Sequence, residues 1–220
     1  MNTLKTPVIV ILIVVLLIPI VVLFASKNDP VSTPIPTSTP TPSAAANNQS
    51  QDPADVATAH KIVLHTNKGD ITLDLFPEDA PRTVKNFVTL GKRGYYNNDI
   101  FHRVIRDFVI QSGDPTGTGS GGVSIYGATF AGEISTRKYA IGSLGMARTN
   151  QPDSYGSQFF VVTDTAPSTA LQALDGNYTV FGQADAASMA VVKAIATTPT
   201  GTNDKPKEDV KITGFDILAQ

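Results

Sequence analysis

Past residue 60 the sequence falls into eight short runs of β-type residues, and this rhythm restricts the possible folds more than any other feature. The runs cover residues 61–66, 70–76, 100–105, 108–111, 141–146, 158–163, 178–183 and 210–218. They are rich in Val, Ile, Phe and Thr and are bounded by Gly, Asn and Asp, the marks of strands separated by turns. Asn67-Lys68-Gly69 reads as the connection of a first hairpin. Only two stretches keep a helical period. One spans 81–91, with Pro81 in its first turn, Val84, Phe87 and Val88 on one face and Gly91 as a stop. The other spans 186–196, capped by Asp185, with Met189, Val192 and Ile195 turned inward. A parallel sheet needs a helix after nearly every strand. Many strands with two helices predict a mainly β chain closed into a barrel.

The N-terminal quarter is a different material. Residues 8–25, VIVILIVVLLIPIVVLFA, are uncharged and apolar, and as a helix would span ~27 Å, close to the ~30 Å hydrocarbon core of a bilayer. A cleaved signal has a shorter apolar region of ~7–15 residues, and Leu23 is a poor partner for Ala25 at a cleavage site. The expectation is an uncleaved transmembrane anchor. Lys5 and the amino terminus outweigh Lys27, which Asp29 offsets. Residues 1–7 are therefore expected to stay cytoplasmic, with the remainder of the chain outside the cell membrane. Residues 26–57 follow with Pro30, Pro34, Pro36, Pro40 and Pro42 among Ser and Thr. Such a composition cannot build a core and predicts a disordered, semi-rigid tether. The folded domain is expected to span 58–220.

Composition removes several chemistries. A formal charge of −2 gives no basic surface for nucleic acid. With no cysteine there is no disulfide, thiol nucleophile or thiolate metal site, and His60, His65 and His102 show no metal-ligand spacing. No metal and no cofactor are expected. Gly117, Gly119 and Gly122 do have the G-x-G-x-x-G spacing of a dinucleotide loop. That fingerprint requires a helix directly after the glycines, and here β-branched and aromatic residues follow. Positive φ and close backbone approach are the better reason for these glycines.

Six motifs carry a resemblance to a known family: FHRVI at 101–105, FVIQSGD at 108–114, GTGSGG at 117–122, SIYG at 124–127, GSQFF at 156–160 and LDGNYTVFG at 174–182. In this order and spacing the chain resembles cyclophilin-type peptidyl-prolyl cis-trans isomerases from about His60 onward. The resemblance implies an eight-stranded antiparallel closed β-barrel capped by two α-helices, acting as a monomer on proline-containing polypeptides. It assigns Arg103 the catalytic role and lines a proline pocket with Phe108, Val109, Phe160 and Leu174. Gln111 and the backbone at Ala147 and Arg148 match positions that bond the substrate backbone. Gln158 matches a polar rim residue, His102 a pocket-edge histidine, and Tyr178 a position where eukaryotic relatives carry histidine.

The chemistry suits these residue types. Rotation about an X–Pro bond sacrifices amide resonance against a barrier of ~18–20 kcal/mol, and breaks no bond. What helps is a fixed donor aimed at the prolyl nitrogen and a dry pocket that grips the ring. Arginine supplies an always-charged fork of donors. The chain departs from the family at Arg106-Asp107, where many relatives have Pro-Gly, at Val109 in place of methionine and at Arg148 in place of asparagine. Ala173 stands where a rim tryptophan helps hold cyclosporin, so weak or no cyclosporin binding is expected. The main alternative is a barrel that holds proline-containing segments without isomerising them; the presence of Arg103, Phe108, Gln111 and Phe160 together favours the enzyme. A hydrolase lacks support, because no G-x-S-x-G elbow is present.

Overall fold

The computed structural model describes residues 59–218; the expected anchor at 8–25 and tether at 26–57 lie outside the described residues. Among the described residues no helix is long and apolar enough to cross a membrane. The chain order is β1 (Lys61–Thr66), β2 (Gly69–Leu75), α1 (Pro81–Lys92), β3 (Arg103–Ile105), β4 (Val109–Ser112), β5 (Ser143–Met146), β6 (Phe159–Val162), α2 (Ser168–Leu174), β7 (Val180–Ala184), α3 (Met189–Ala196) and β8 (Ile212–Ile217). All eight expected strands are present, and every ladder is antiparallel. They form one sheet in the order β3-β4-β6-β5-β7-β2-β1-β8.

Two parts of the expected architecture need correction. The barrel is not closed by a strand ladder, because β3 and β8 are the two ends of the sheet and do not pair. The chain just before β3 is joined to the start of β8 by a bridge between Ile100 and Lys211, by a 2.9 Å bond from the Phe101 N–H to the Val210 carbonyl, and by 2.9 Å bonds from the Asn98 N–H to the Ile212 carbonyl and from the Ile212 N–H to the Asp99 carbonyl. The second correction is a third helix, α2. Its seven residues bury only Leu174, so it leaves almost no periodic trace.

Alternation along the strands divides the molecule into two apolar layers. Ile62 and Leu64 of β1, Ile71 and Leu73 of β2, Val104, Ile110, Leu144, Met146, Phe159, Val161 and Phe181 point to the interior. Because successive side chains point to opposite faces, Arg103, Val109, Gln111, Gly145, Phe160, Val162 and Val180 fall on the other side. At the centre of the interior stands Phe87 of α1, edge-on to Phe159, Phe181 and Phe215 with ring centroids 5.1–5.4 Å apart. Gly91 does not stop α1. It lies inside the helix, where a Cβ would sit 2.5 Å from the Phe215 ring, so the ring packs directly on the helix backbone.

The start of α1 is capped from a distance. Ala80 offers no capping side chain. Instead the Glu133 carboxylate accepts from the Arg82 N–H at 3.0 Å and from the Thr83 N–H and hydroxyl at 2.8 Å each. This satisfies otherwise orphaned donors and puts negative charge at the positive end of the helix dipole.

Candidate active site

The outward layer gathers most of the residues singled out above. Opposite one another across the strands stand Arg103 and Gln111, then Gln111 and Phe160, then Phe160 and Gly145, then Gly145 and Val180. One row across the sheet therefore runs from a charged fork through an amide to an aromatic ring. Around that ring Val109, Tyr139, Val162, Ala166, Leu174 and Val180 form a buried cluster, with Phe108, Ala147, Leu171 and Tyr178 partly exposed at its margin. The cluster is separate from the interior core. It is an apolar seat on the outside of the sheet with a half-exposed rim.

Gly145 makes the seat possible. A Cβ there would overlap Cζ of Phe160 and come within 2.6 Å of its Cε2. Without one, Phe160 lies over bare backbone, stacked on Tyr139 at 5.9 Å and 17° and meeting Tyr178 edge-on at 6.1 Å. Tyr139 is itself fixed, its hydroxyl donating to the Thr179 carbonyl at 3.0 Å. Burial raises its phenol well above the ordinary range, so it stays neutral.

The polar side of the row is a chain of directed bonds. Arg103 Nη1 donates to Gln111 Oε1 at 3.4 Å, and Gln111 Nε2 donates to Gln158 Oε1 at 2.9 Å. Gln158 Nε2 in turn reaches the carbonyls of Gly119 and Gly121 at 3.1 and 2.8 Å. Arg103 and Gln111 are half-buried at the edge of the apolar seat.

The glycine loop ending this chain explains its spacing. Asp114 Oδ2 accepts from the N–H groups of Gly119 and Gly121 at 2.7 and 3.0 Å, and Oδ1 accepts from the Thr116 N–H and hydroxyl at 2.8 Å each. Gly117, Gly119 and Gly122 have φ of 63°, 83° and 99°, which lets the backbone curl around the carboxylate. The loop cradles an anion, but the anion is the chain's own. Burial alone would raise the Asp114 pKa; the bonds from Thr116, Gly119 and Gly121 win and take it down to about 2.

The remaining assignments separate. His102 is buried beneath Gly119, whose added Cβ would lie 3.5 Å from its Cδ2. Neither ring nitrogen has a hydrogen-bond partner, and burial lowers its pKa despite the pull of Asp114. It packs under the glycine loop at the end of the polar chain. Arg148 does not face the seat freely. Its Nε and Nη2 donate to the Asn177 carbonyl at 3.1 and 3.0 Å, and its guanidinium lies 4.7 Å from the Tyr178 ring centre. Arg148 thus props the rim. The Ala147 N–H is engaged by the Gln158 carbonyl at 2.9 Å. Arg106 and Asp107 form an exposed turn closed by a 3.0 Å bond from the Phe108 N–H to the Ile105 carbonyl, which sets Phe108 at the seat's edge. Among the described residues no group of three histidine or carboxylate side chains is placed to hold a metal ion.

Sequence reasoning missed Gly145, Tyr139 and Glu133. A glycine inside a strand pattern signals close approach, and that was the available clue for Gly145.

Comparison with known proteins decides the family. The model of the cyclophilin type peptidyl-prolyl cis-trans isomerases matches residues 61–217. The chain belongs to this family. As a cyclophilin-type isomerase it is 44% identical over 181 residues to a Staphylococcus haemolyticus protein named "Putative peptidyl-prolyl cis-trans isomerase", covering 71% of this chain and 90% of that one. It is also 45% identical over 185 residues to a Streptococcus pyogenes protein named "Putative bifunctional phosphatase/peptidyl-prolyl cis-trans isomerase", covering 73% of this chain. The chain spans 39% of that longer relative. Among solved structures, a Cryptosporidium parvum cyclophilin type isomerase is 37% identical with a TM-score of 0.68, covering 74% of this chain and 99% of that one. The same protein crystallised in the presence of the dipeptide Ala-Pro matches with a TM-score of 0.67.

Proposed function

We propose that this isomerase catalyses X–Pro rotation through Arg103, and that it acts on exported chains outside the cytoplasm, tethered by residues 8–25. The observation that carries the mechanism is the row Arg103–Gln111–Phe160. The prolyl ring occupies the seat over Phe160, bounded by Phe108, Val109, Leu174 and Tyr178. The Arg103 guanidinium then lies beside the prolyl nitrogen. As the amide twists, its nitrogen regains a lone pair, and a preorganised charged donor stabilises that state more than either planar isomer. Gln111 and the Ala147 carbonyl hold the substrate backbone. No proton is transferred, so no base is required. That the related Cryptosporidium enzyme was crystallised with Ala-Pro supports an X–Pro peptide as substrate.

The test is Arg103→Ala in the full-length chain with a Xaa-Pro peptide. Removing a preorganised donor costs ~2.7–4 kcal/mol, or roughly 100- to 1,000-fold in kcat/KM. A folded variant within a few-fold of the parent overturns the mechanism and favours a barrel that merely holds proline-containing segments. The location is tested by adding protease to intact cells: cleavage of the domain is expected, and full protection counts against the tethered, outward-facing reading.

A further inference from the structure

We propose that Asp204 is a positioning residue for Arg103. The inference rests on the reading of Arg103 given above. The connection between α3 and β8 carries a small tongue. Its stem is held by a 2.9 Å bond from the Lys207 N–H to the Pro199 carbonyl, a 2.8 Å bond from the Gly201 N–H to the Lys205 carbonyl and a bridge between Thr200 and Pro206. Its tip is the single turn Thr202–Asp204. There two successive residues with side chains, Asn203 and Asp204, stand in the left-handed region with φ of 59° and 58°. Asn and Asp tolerate that conformation better than other L-residues, and it persists where the surroundings hold it.

The outcome of this turn is a carboxylate beside the catalytic fork. Asp204 Oδ2 lies 3.7 Å from Arg103 Nε, while Gln111 Oε1 lies 3.4 Å from Nη1. The two partners hold different edges of a planar group. Two contacts on different edges restrain the plane of the guanidinium more than one would. Among the described residues Nη2 has no protein partner and remains available for substrate. Arg103 is also the only ion-pair partner of Asp204 among the described residues. A long, rotamer-rich side chain ordered before substrate arrives loses less freedom on binding, and correct aim matters in catalysis.

The pair adds little to stability, because the two side chains are 32% and 50% exposed and exposed ion pairs are weak. Its effect belongs in the rate. The experiment uses the full-length chain, a cis-enriched Ala-Pro peptide that resolves kcat from KM, and NMR of the Arg103 Nε–Hε group. Asp204→Gly keeps the left-handed backbone accessible and removes the carboxylate; Asp204→Asn keeps an acceptor without charge. The expected result is a kcat roughly 10-fold lower for Asp204→Gly, short of the ~100-fold that a 1 Å misplacement can cause. KM and melting should be unchanged, Asp204→Asn should fall between, and the Nε–Hε group should be more mobile. In an Arg103→Ala background Asp204→Gly should cause no further loss. If Arg103→Ala is crippled while Asp204→Gly keeps the parent kcat, this inference alone falls. A loss that persists without Arg103 also overturns it. If Arg103→Ala is active, the mechanism and the inference fall together.

Discussion

Phe160 rests directly on the backbone of Gly145, in the space that any other residue's Cβ would fill. The aromatic floor of the site thus depends on an atom that is missing from the neighbouring strand. Gly145→Ala must push the ring outward or spread β5 from β6. Overpacking of this kind typically costs ~1–3 kcal/mol, and the displaced ring also loses its stack on Tyr139. The variant is expected to melt at lower denaturant concentration and to lose kcat/KM by more than its fraction unfolded explains. Chemical denaturation and peptide isomerisation on the same sample separate the two effects. Parent-like activity in a folded variant would show that the ring's placement does not matter.

Asp99 carries an internal cost that pH reveals. Its Oδ2 is buried without a partner, and burial, helped by Asp114, raises its pKa to about 6. A carboxyl with a raised folded-state pKa destabilises the fold when ionised, above about pH 6, and the penalty fades as pH falls toward the ordinary carboxylate value. Asp99→Asn is therefore expected to be more stable than the parent at pH 8, with the gap narrowing between pH 6 and pH 4. Melting curves across that range decide it; a gap independent of pH sinks the assignment.

His102 bears on activity in the opposite sense, by staying silent. Burial holds its pKa below 6.5, so the folded protein keeps it neutral near pH 7. Unfolding lets it take up a proton, so its stabilising effect is complete above the unfolded pKa and declines as pH falls below about 6.5. The activity of the folded enzyme is expected to be flat from about pH 6.5 to 8.5. A limb in kcat/KM that disappears in His102→Gln would assign the imidazole a proton-transfer role.

Cyclosporin should bind poorly. Ala173 is exposed on α2 and offers a methyl group where family members use an indole. Loss of an aromatic anchor costs on the order of 2 kcal/mol or more at a hot spot, so inhibition is expected in the micromolar range or weaker. Nanomolar inhibition in the peptide assay would show that another residue replaces the indole.

Glu133 caps α1 across 50 positions of sequence. Glu133→Ala removes acceptors for three donors, and the loss of a cap costs ~0.5–2 kcal/mol. A lowered midpoint with unchanged kcat/KM is the expected result. Unchanged stability would mean that water serves the helix end equally well.

The sequence alone made some of this legible. Val109 and Gln111 alternate with Ile110 along β4, so the division between interior and seat could be anticipated once strand and family were recognised. The six motifs placed Arg103, Gln111 and Phe160 together, and the structure lines them up on one face. What stayed hidden involved partners distant in the chain. Nothing near Pro81 hints at Glu133, and nothing near Arg103 hints at Asp204. Ser168–Leu174 is two turns long with one buried side chain, too little to show a period.

The pairing of β1 with β8 sets a condition on how this isomerase itself comes into being. Ile62 and Leu64 sit opposite Ile217 and Phe215, so the first strand to leave a ribosome waits for the last. Until then β1 has only β2 beside it and one edge bare, and such long-range pairings are slow to form. The sheet is complete only once β8 has been made, and a nascent chain stalled before residue 212 would carry the site's residues without the full sheet that aligns them.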